Sequence, residues 1–414
     1  MDPEGRRRSA QVARAASLVA FAATLGALAT AHAQVARDSA APVHEIYASC
    51  AGDGLPPNAR AHAGRRLKLP WSVQLSALAQ GWGAAWTGRD VRQTDLDAVD
   101  GEGLYLGYAR LGACGMIKTP SGPLSWTLVY EPYSLDESAH PDSRAWGRIA
   151  AAELGFAPWT WLTISVGIRK VAFGYSHDEP LELRELPVPA YIDQSVAPDR
   201  RAGITLDDDF GAAHVVLGVY QGRRDLVITA DGGMLIAARL VAEPIGPVGN
   251  LVSTRGDPDY WRKKVRFAVN ASILYEYVNG SSNYALAADG ALHWGPVGMA
   301  GEYVFASHTT VEAPVRLLPY PTPSRQGMWV QAAVMLWRPW IEVSARYDWM
   351  ANPGQAGQQF HAVTAGLDLY GKKLLKLQVL YMHKFHYGFQ AAGAPPISDD
   401  VLLFVGQLAL EHAY

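Results

Sequence analysis

After Thr30 the 414-residue chain has no apolar run long enough to cross a membrane as a helix, which takes about 20 residues. Any further spanning segment must therefore be built from strands. The two cysteines, Cys50 and Cys114, are too few for a disulfide scaffold and have no metal-ligand spacing. A bridge between them would pin the N-terminal region to the rest of the chain, and two separate thiols fit the sequence equally well. There is no Gly-x-Ser-x-Gly elbow and no Gly-Lys-Ser/Thr phosphate loop. Neither charge sign dominates. Without residues 1–33, which hold four Arg, one Asp and one Glu, the balance is 32 basic to 37 acidic, a net of −5, and implies no nucleic-acid partner.

Local clusters of reactive residues read as structure rather than chemistry. Ser176-His177-Asp178 are chain neighbours, which do not form the relay geometry of a hydrolase, so they read as loop. His383 and His386 are three apart and fall on opposite faces of a strand. Asp207-Asp208-Asp209 suits a solvated strand end better than a calcium loop, having no central Gly followed by a bidentate Glu. No cofactor, metal or enzymatic activity is implied.

What is present is alternation. In residues 341–349, Ile-Glu-Val-Ser-Ala-Arg-Tyr-Asp-Trp, odd positions are apolar or aromatic and even ones polar, so one strand face is greasy and the other charged. Val265 to Tyr277 repeats the pattern, with Arg266, Asn270, Ser272 and Glu276 on the polar side. Sixteen candidate strands fall near residues 71–82, 103–117, 122–132, 146–156, 159–171, 200–208, 212–221, 232–243, 264–277, 283–294, 296–307, 327–337, 339–349, 361–370, 373–386 and 400–411. Their number is even, and most, at about 9 to 13 residues, cover the ~9 to 11 that a tilted strand needs to cross a bilayer. The expected fold is all-β, a transmembrane antiparallel β-barrel of about 16 strands, since only a closed sheet leaves no unpaired edge in lipid.

The N-terminus fits export. Arg6, Arg7, Arg8 and Arg14 precede an apolar run from Ala15 to Thr30 and a small-x-small site at Ala31-His32-Ala33. The domain reading is a cleaved signal peptide at 1–33, a flexible extension at 34–69 and an outer-membrane barrel at 70–414. Gly371-Lys372 and Arg338-Pro339 read as periplasmic turns, and 174–199, 244–263 and 308–326 as external loops. Of these, 174–199 is the candidate to fold inward and narrow a pore.

The order of segments resembles the phosphate-selective porin O and P family. The marks include Tyr108-Ala109-Arg110-Leu111-Gly112, residues 165–174 (Ser-Val-Gly-Ile-Arg-Lys-Val-Ala-Phe-Gly), and residues 197–204 (Ala-Pro-Asp-Arg-Arg-Ala-Gly-Ile). Later marks are Gly301-Glu302-Tyr303, Ala345-Arg346-Tyr347-Asp348 and Thr364-Ala365-Gly366-Leu367-Asp368. The resemblance implies a sixteen-stranded, trimeric diffusion channel in the outer membrane of a Gram-negative bacterium, in contact with its lipid and passing small hydrophilic solutes, anions such as phosphate among them. Tyr414 is the aromatic end typical of such barrels, although Glu411 and His412 interrupt the alternation before it.

Anion selectivity needs cations along the pore. The inward candidates are Arg169, Arg201, Arg239, Arg266, Arg346, Lys376 and Lys384, mixed with Glu131, Glu153, Glu243, Glu276, Glu302, Glu342, Asp348 and Asp368. Arg239, Arg266 and Arg346 are expected either to attract anions or to pair with Glu243, Glu276 and Glu342 and stiffen the wall. Reversing Arg239 and Arg266 to Glu is expected to move conductance toward cations. The rival expectation is a plugged barrel serving as an adhesin or scaffold, for which 34–69 is long enough to enter the lumen.

Overall fold

The computed structural model describes residues 71–86, 103–134, 148–175, 184–198, 200–222, 233–246, 248, 252–254, 264–278, 281–307, 324–351, 359–371, 375–387 and 397–413. The expected signal peptide at 1–33, the expected extension at 34–69 and Ser176-His177-Asp178 lie outside them.

The strands are β1 (Trp71–Trp86), β2 (Gly103–Thr119), β3 (Gly122–Ser134), β4 (Arg148–Phe156), β5 (Leu162–Lys170), β6 (Arg200–Asp209), β7 (Ala213–Gln221) and β8 (Met234–Ala242). They continue as β9 (Val265–Val278), β10 (Ser281–Trp294), β11 (Val297–Ser307), β12 (Ser324–Trp337), β13 (Ile341–Ala351), β14 (Gln359–Tyr370), β15 (Leu375–Tyr387) and β16 (Ile397–Ala413). Each pairs antiparallel with its sequence neighbours, and β1 pairs with β16 to close the barrel. All sixteen expected strands are present. β16 runs past the expected irregularity, because Glu411 and His412 are held in register by Ser76 and Leu75 of β1.

Alternation sorts the two faces as the sequence implies. On β9, Val265, Val269, Ile273, Tyr275 and Tyr277 are exposed, while Arg266, Asn270, Ser272 and Glu276 are buried. A soluble sheet would bury the greasy face. Here that face clads the outside, the arrangement for a lipid surround. Aromatic side chains divide between the rims: Trp71, Trp159, Trp161, Trp294, Trp337 and Trp340 lie exposed near one end. Tyr275, Tyr277, Tyr284, Tyr303 and Tyr347 lie exposed toward the other. Rings with a polar edge favour the headgroup boundary, so the two sets mark the limits of the apolar belt.

The Trp end carries the short connections, such as Gly295-Pro296 between Trp294 and Val297, where Gly295 has φ +56. One connection breaks this rule. Residues 243–264, between β8 and β9, are long yet belong to the short-turn end by strand parity, so the expectation that 244–263 is an external loop is corrected. Conversely, β9 and β10 at the long-loop end are separated only by Asn279-Gly280, with Val278 opposite Ser281. These exceptions explain why loop lengths alternate imperfectly along the sequence.

Candidate functional site: the filled lumen

The connection from β5 to β6 turns inward. Its described parts, Val171 to Tyr175 and Arg184 to Pro198, are almost all buried and touch the inner wall of β9 through β15. It contains a short helix, α1 (Tyr191–Val196). The Gly174 N–H donates to Ser272 Oγ at 3.3 Å and the Tyr175 N–H to Glu302 Oε2 at 3.0 Å. Farther on, Lys376 donates to the Arg184 carbonyl and Gln378 to the Glu185 carbonyl. Arg346 donates to the carbonyls of Val188 at 2.8 Å and Pro189 at 3.2 Å, and the Tyr191 N–H donates to Asp348 Oδ1 at 3.2 Å. The loop thus runs from one end of the lumen toward the other and returns. The expected inward loop at 174–199 is this segment.

Polar wall groups supply these bonds because the loop backbone has no strand partner of its own. Apolar packing covers the rest. Tyr191 meets Phe360 edge-on with ring centroids 4.6 Å apart, and Tyr175 lies 5.7 Å from Trp329. Leu186 joins Leu78, Trp82, Leu380, Met382, Val401, Leu403 and Val405 in one buried cluster reaching β1, β15 and β16. Burying one such side chain contributes about 2 kcal/mol.

A second segment enters from the short-turn end. The Ser253 N–H donates to Glu185 Oε1 at 2.6 Å, and its hydroxyl to Glu342 Oε2 at 2.9 Å. Val252 passes so near Gly298 that a β-carbon there would sit 1.7 Å from the Val252 carbonyl oxygen. The β8–β9 connection therefore braces the inner loop from below, a role that its reading as an external loop concealed.

The candidate cations all lie on inward-facing positions. Arg239 grips Asp289 with both terminal nitrogens at 3.1 Å and donates to Ser272 at 3.0 Å. Arg346 pairs with Asp348 at 2.8 Å, and Lys376 lies 3.9 Å from Asp368. Lys384 sits over the Tyr191 ring at 5.9 Å. Arg266 is buried on β9.

The expected pairings of Arg239 with Glu243 and Arg346 with Glu342 are corrected. Residues four apart on a strand are separated by about 13 Å, and Arg266 and Glu276 are farther still. The actual partners are Asp289, two strands away on β10, for Arg239, and Asp348, two residues on, for Arg346. Glu243 instead accepts the Val248 N–H at 2.8 Å, and Glu342 accepts the hydroxyls of Ser253 and Tyr370.

On the opposite wall, Arg169 donates to Thr205 at 2.6 Å and Asp207 at 3.1 Å, with Glu153 at 3.8 Å. Arg110 pairs with Glu131. Strand register sets Arg169 against Arg201 on the inward face and Lys170 against Arg200 on the outward one. The acidic run divides: Asp207 serves Arg169, while Asp209 Oδ1 accepts the Gly211 N–H of the turn. His383 hydrogen-bonds Asp400 at 2.6 Å.

Cys114 faces the lumen from β2, is 7% exposed and is disulfide-bonded. The reading of two separate thiols is thereby corrected. Cys50, the chain's other cysteine, lies outside the described residues.

No family model matches the chain, and no curated protein sequence matches it. Solved structures do. An anion-selective porin from Comamonas acidovorans is similar at TM-score 0.52 and 13% identity, over 83% of this chain and 100% of that one. The outer membrane channel DcaP of Acinetobacter baumannii gives 0.53 at 12% identity, over 83% and 99%. In-vitro folded OmpT of Vibrio cholerae, in a trimer form, gives 0.51 at 10% identity, over 83% and 100%. The shared feature is the fold, that of outer-membrane porins, and the outer-membrane location expected from the sequence agrees with it.

Proposed function

We propose that the protein is a diffusion channel of the Gram-negative outer membrane, passing small hydrophilic solutes with a preference for anions. The observation that carries this reading is the inner loop, a long connection folded into a closed barrel and anchored to the wall of β9 through β15. Such a loop narrows the lumen and crowds the passage toward the β2–β6 wall. There the facing pair Arg169/Arg201 places two positive charges near one mouth, and like charges so placed attract mobile anions. Arg169 and Arg201 are therefore the favoured pore-lining cations, whereas Arg239, Arg346, Lys376 and Lys384 hold wall or loop. The anion-selective Comamonas porin supports the anion preference, and the resemblance noted in the sequence points to phosphate. A homotrimer is part of the proposal, supported by the trimer form of the Vibrio protein.

The test is single-channel recording from refolded protein in planar bilayers, with reversal potential under a salt gradient and phosphate titrated in. Stepwise conductance with anion bias and phosphate block is expected. A silent membrane would overturn the reading in favour of a plugged barrel. One observation favours that second reading: Cys114 faces the lumen and is disulfide-bonded, and the only other cysteine in the sequence belongs to the 34–69 extension. Under it, reduction of the disulfide opens conductance in a barrel that is silent when oxidised.

A further inference from the structure

The disulfide at Cys114 fixes where its partner stands. On β2 Cys114 faces the lumen, and strand register sets it against Gln74 of β1 and Thr127 of β3. Bridged cysteines have Cα atoms about 4.4–6.8 Å apart, and across the sheet that distance is taken by Gln74 and Thr127. The partner therefore lies off the wall, on the lumen side of β2. Among the described residues no cysteine is free, and the sequence holds one other, Cys50. Its backbone is thus within about 7 Å of the inner face of β2.

The chain can reach that point from the near mouth. β1 begins at Trp71 beside the short-turn end, and Gln74, opposite Cys114, is three residues on, about 10 Å up the lumen. Residues 51–70, twenty in number, span up to about 66 Å when extended, several times what a return into the same mouth requires. Small residues flank Cys50, namely Ala48, Ser49, Ala51 and Gly52. The wall beside Cys114 is small too, with Gly112 paired to Ser76, so the two backbones can approach. That wall is also covered. Val129, 0% exposed, and Glu131, 1%, face the lumen from β3, away from the β9–β15 wall under the inner loop. The buried cluster at Val129 holds only Ala150 and Ala151 of β4 and no inner-loop residue. Farther round, the Arg169 side chain on β5 is 17% exposed, so that side stays open.

We infer that the segment around Cys50 enters the lumen by the short-turn mouth, docks on the inner wall of β1–β3 and is held there by a Cys50–Cys114 bridge, so that a thiol reductant widens the passage. The docking stands on the geometry at Cys114; the widening rests on the channel reading above. The segment fills one side of the lumen, whereas a plug fills it all. Roughly across the sixteen-strand ring, residues 252–254 enter by the same mouth against Gly298 of β11. Reduction is a balanced exchange. A small dithiol passes two electrons and two protons to the bridge, leaving thiols at Cys50 and Cys114 and becoming a disulfide itself, and an oxidised dithiol reverses the step. Export to an oxidising compartment favours the bridged form.

The test uses the full chain folded under oxidising conditions. Free thiols are blocked, the protein is unfolded and cut with trypsin without reductant, and peptide masses are read. Residues 38–60, which carry Cys50, are expected joined to residues 111–118, which carry Cys114, and to separate on reduction. Blocked thiols at both positions, or a Cys50–Cys50 linkage between two copies, would overturn the bridge. In planar bilayers, a small dithiol added to barrels already folded and inserted is expected to shift single-channel steps to larger values. Cys50→Ser is expected to start at the larger step and to ignore the dithiol; reduction of folded wild type decides the matter if that variant does not fold. A conducting barrel whose steps are unchanged by reduction would overturn docking in the lumen. A barrel silent when oxidised and open when reduced would uphold the docking and replace the channel reading by the plug. A barrel silent in both states would sink the channel reading, while the peptide map still decides the bridge.

Discussion

Arg239 lies 2% exposed on β8, and its guanidinium is occupied by Asp289 and Ser272. Removing one partner of a buried pair leaves the other charge without compensation. Arg239→Met is therefore expected to destabilise the barrel by about 3 kcal/mol, read as a lower urea midpoint for unfolding from detergent. Reversal of Arg239 to Glu, expected from sequence to shift ion selectivity, would set a second carboxylate against Asp289 and report on folding instead. Gly298 gives a sharper case. Alanine there would place a β-carbon 1.7 Å from the Val252 carbonyl oxygen, so the backbone of 252–254 must move. Gly298→Ala is expected to break both Ser253 hydrogen bonds, a loss of about 2 kcal/mol from the brace. Conductance is expected to rise while the barrel still folds; unchanged single-channel steps would show that the brace does not limit the passage.

Strands were legible in the sequence because lipid outside and polar groups inside impose a period of two, as in β9 and β13. The same rule blurs where the inner loop covers the wall. β16 runs Val401-Leu402-Leu403-Phe404-Val405 with both faces apolar: Leu402 and Phe404 meet lipid, whereas Val401, Leu403 and Val405 pack in the cluster that includes Leu186. Phe360, Leu380 and Met382 are inward and apolar for a related reason. An apolar residue at a lumen position is thus a readable sign that something sits against it, a signal that strand counting passes over. Partner choice among the charges was not legible, since Arg239 meets Asp289 across 50 residues of sequence. The packing argues its own prediction. Phe360→Ala removes the ring against which Tyr191 rests, at a cost of about 3 kcal/mol to the docked loop. Amide hydrogen exchange in residues 190–197 is expected to quicken while that of β14 stays slow; equal quickening of both would mean that Phe360 supports the barrel rather than the loop.

Across the whole molecule the two halves of the lumen are unlike. The β9–β15 wall is covered by the inner loop, and its Arg325, Arg346 and Lys376 are matched to carboxylates or backbone carbonyls. The β2–β6 wall places Arg169 against Arg201, with Asp207 and Glu153 beside the first. Ions that pass the constriction are therefore expected to respond to these two arginines more than to the cations behind the loop. Neutralising both as Arg169→Gln with Arg201→Gln leaves Glu131, Glu153 and Asp207 on that wall and avoids adding carboxylates to it. The anion-to-cation permeability ratio is expected to fall on the order of severalfold, with the larger effect at low ionic strength, where the Debye length exceeds the width of such a passage. Reversal potential under a salt gradient measures it. The matched control is Lys376→Gln, behind the loop, which is expected to leave the ratio unchanged. If Lys376→Gln shifts the ratio as far as the double variant does, ions travel along the wall that the loop covers, and the passage lies on the opposite side of the lumen.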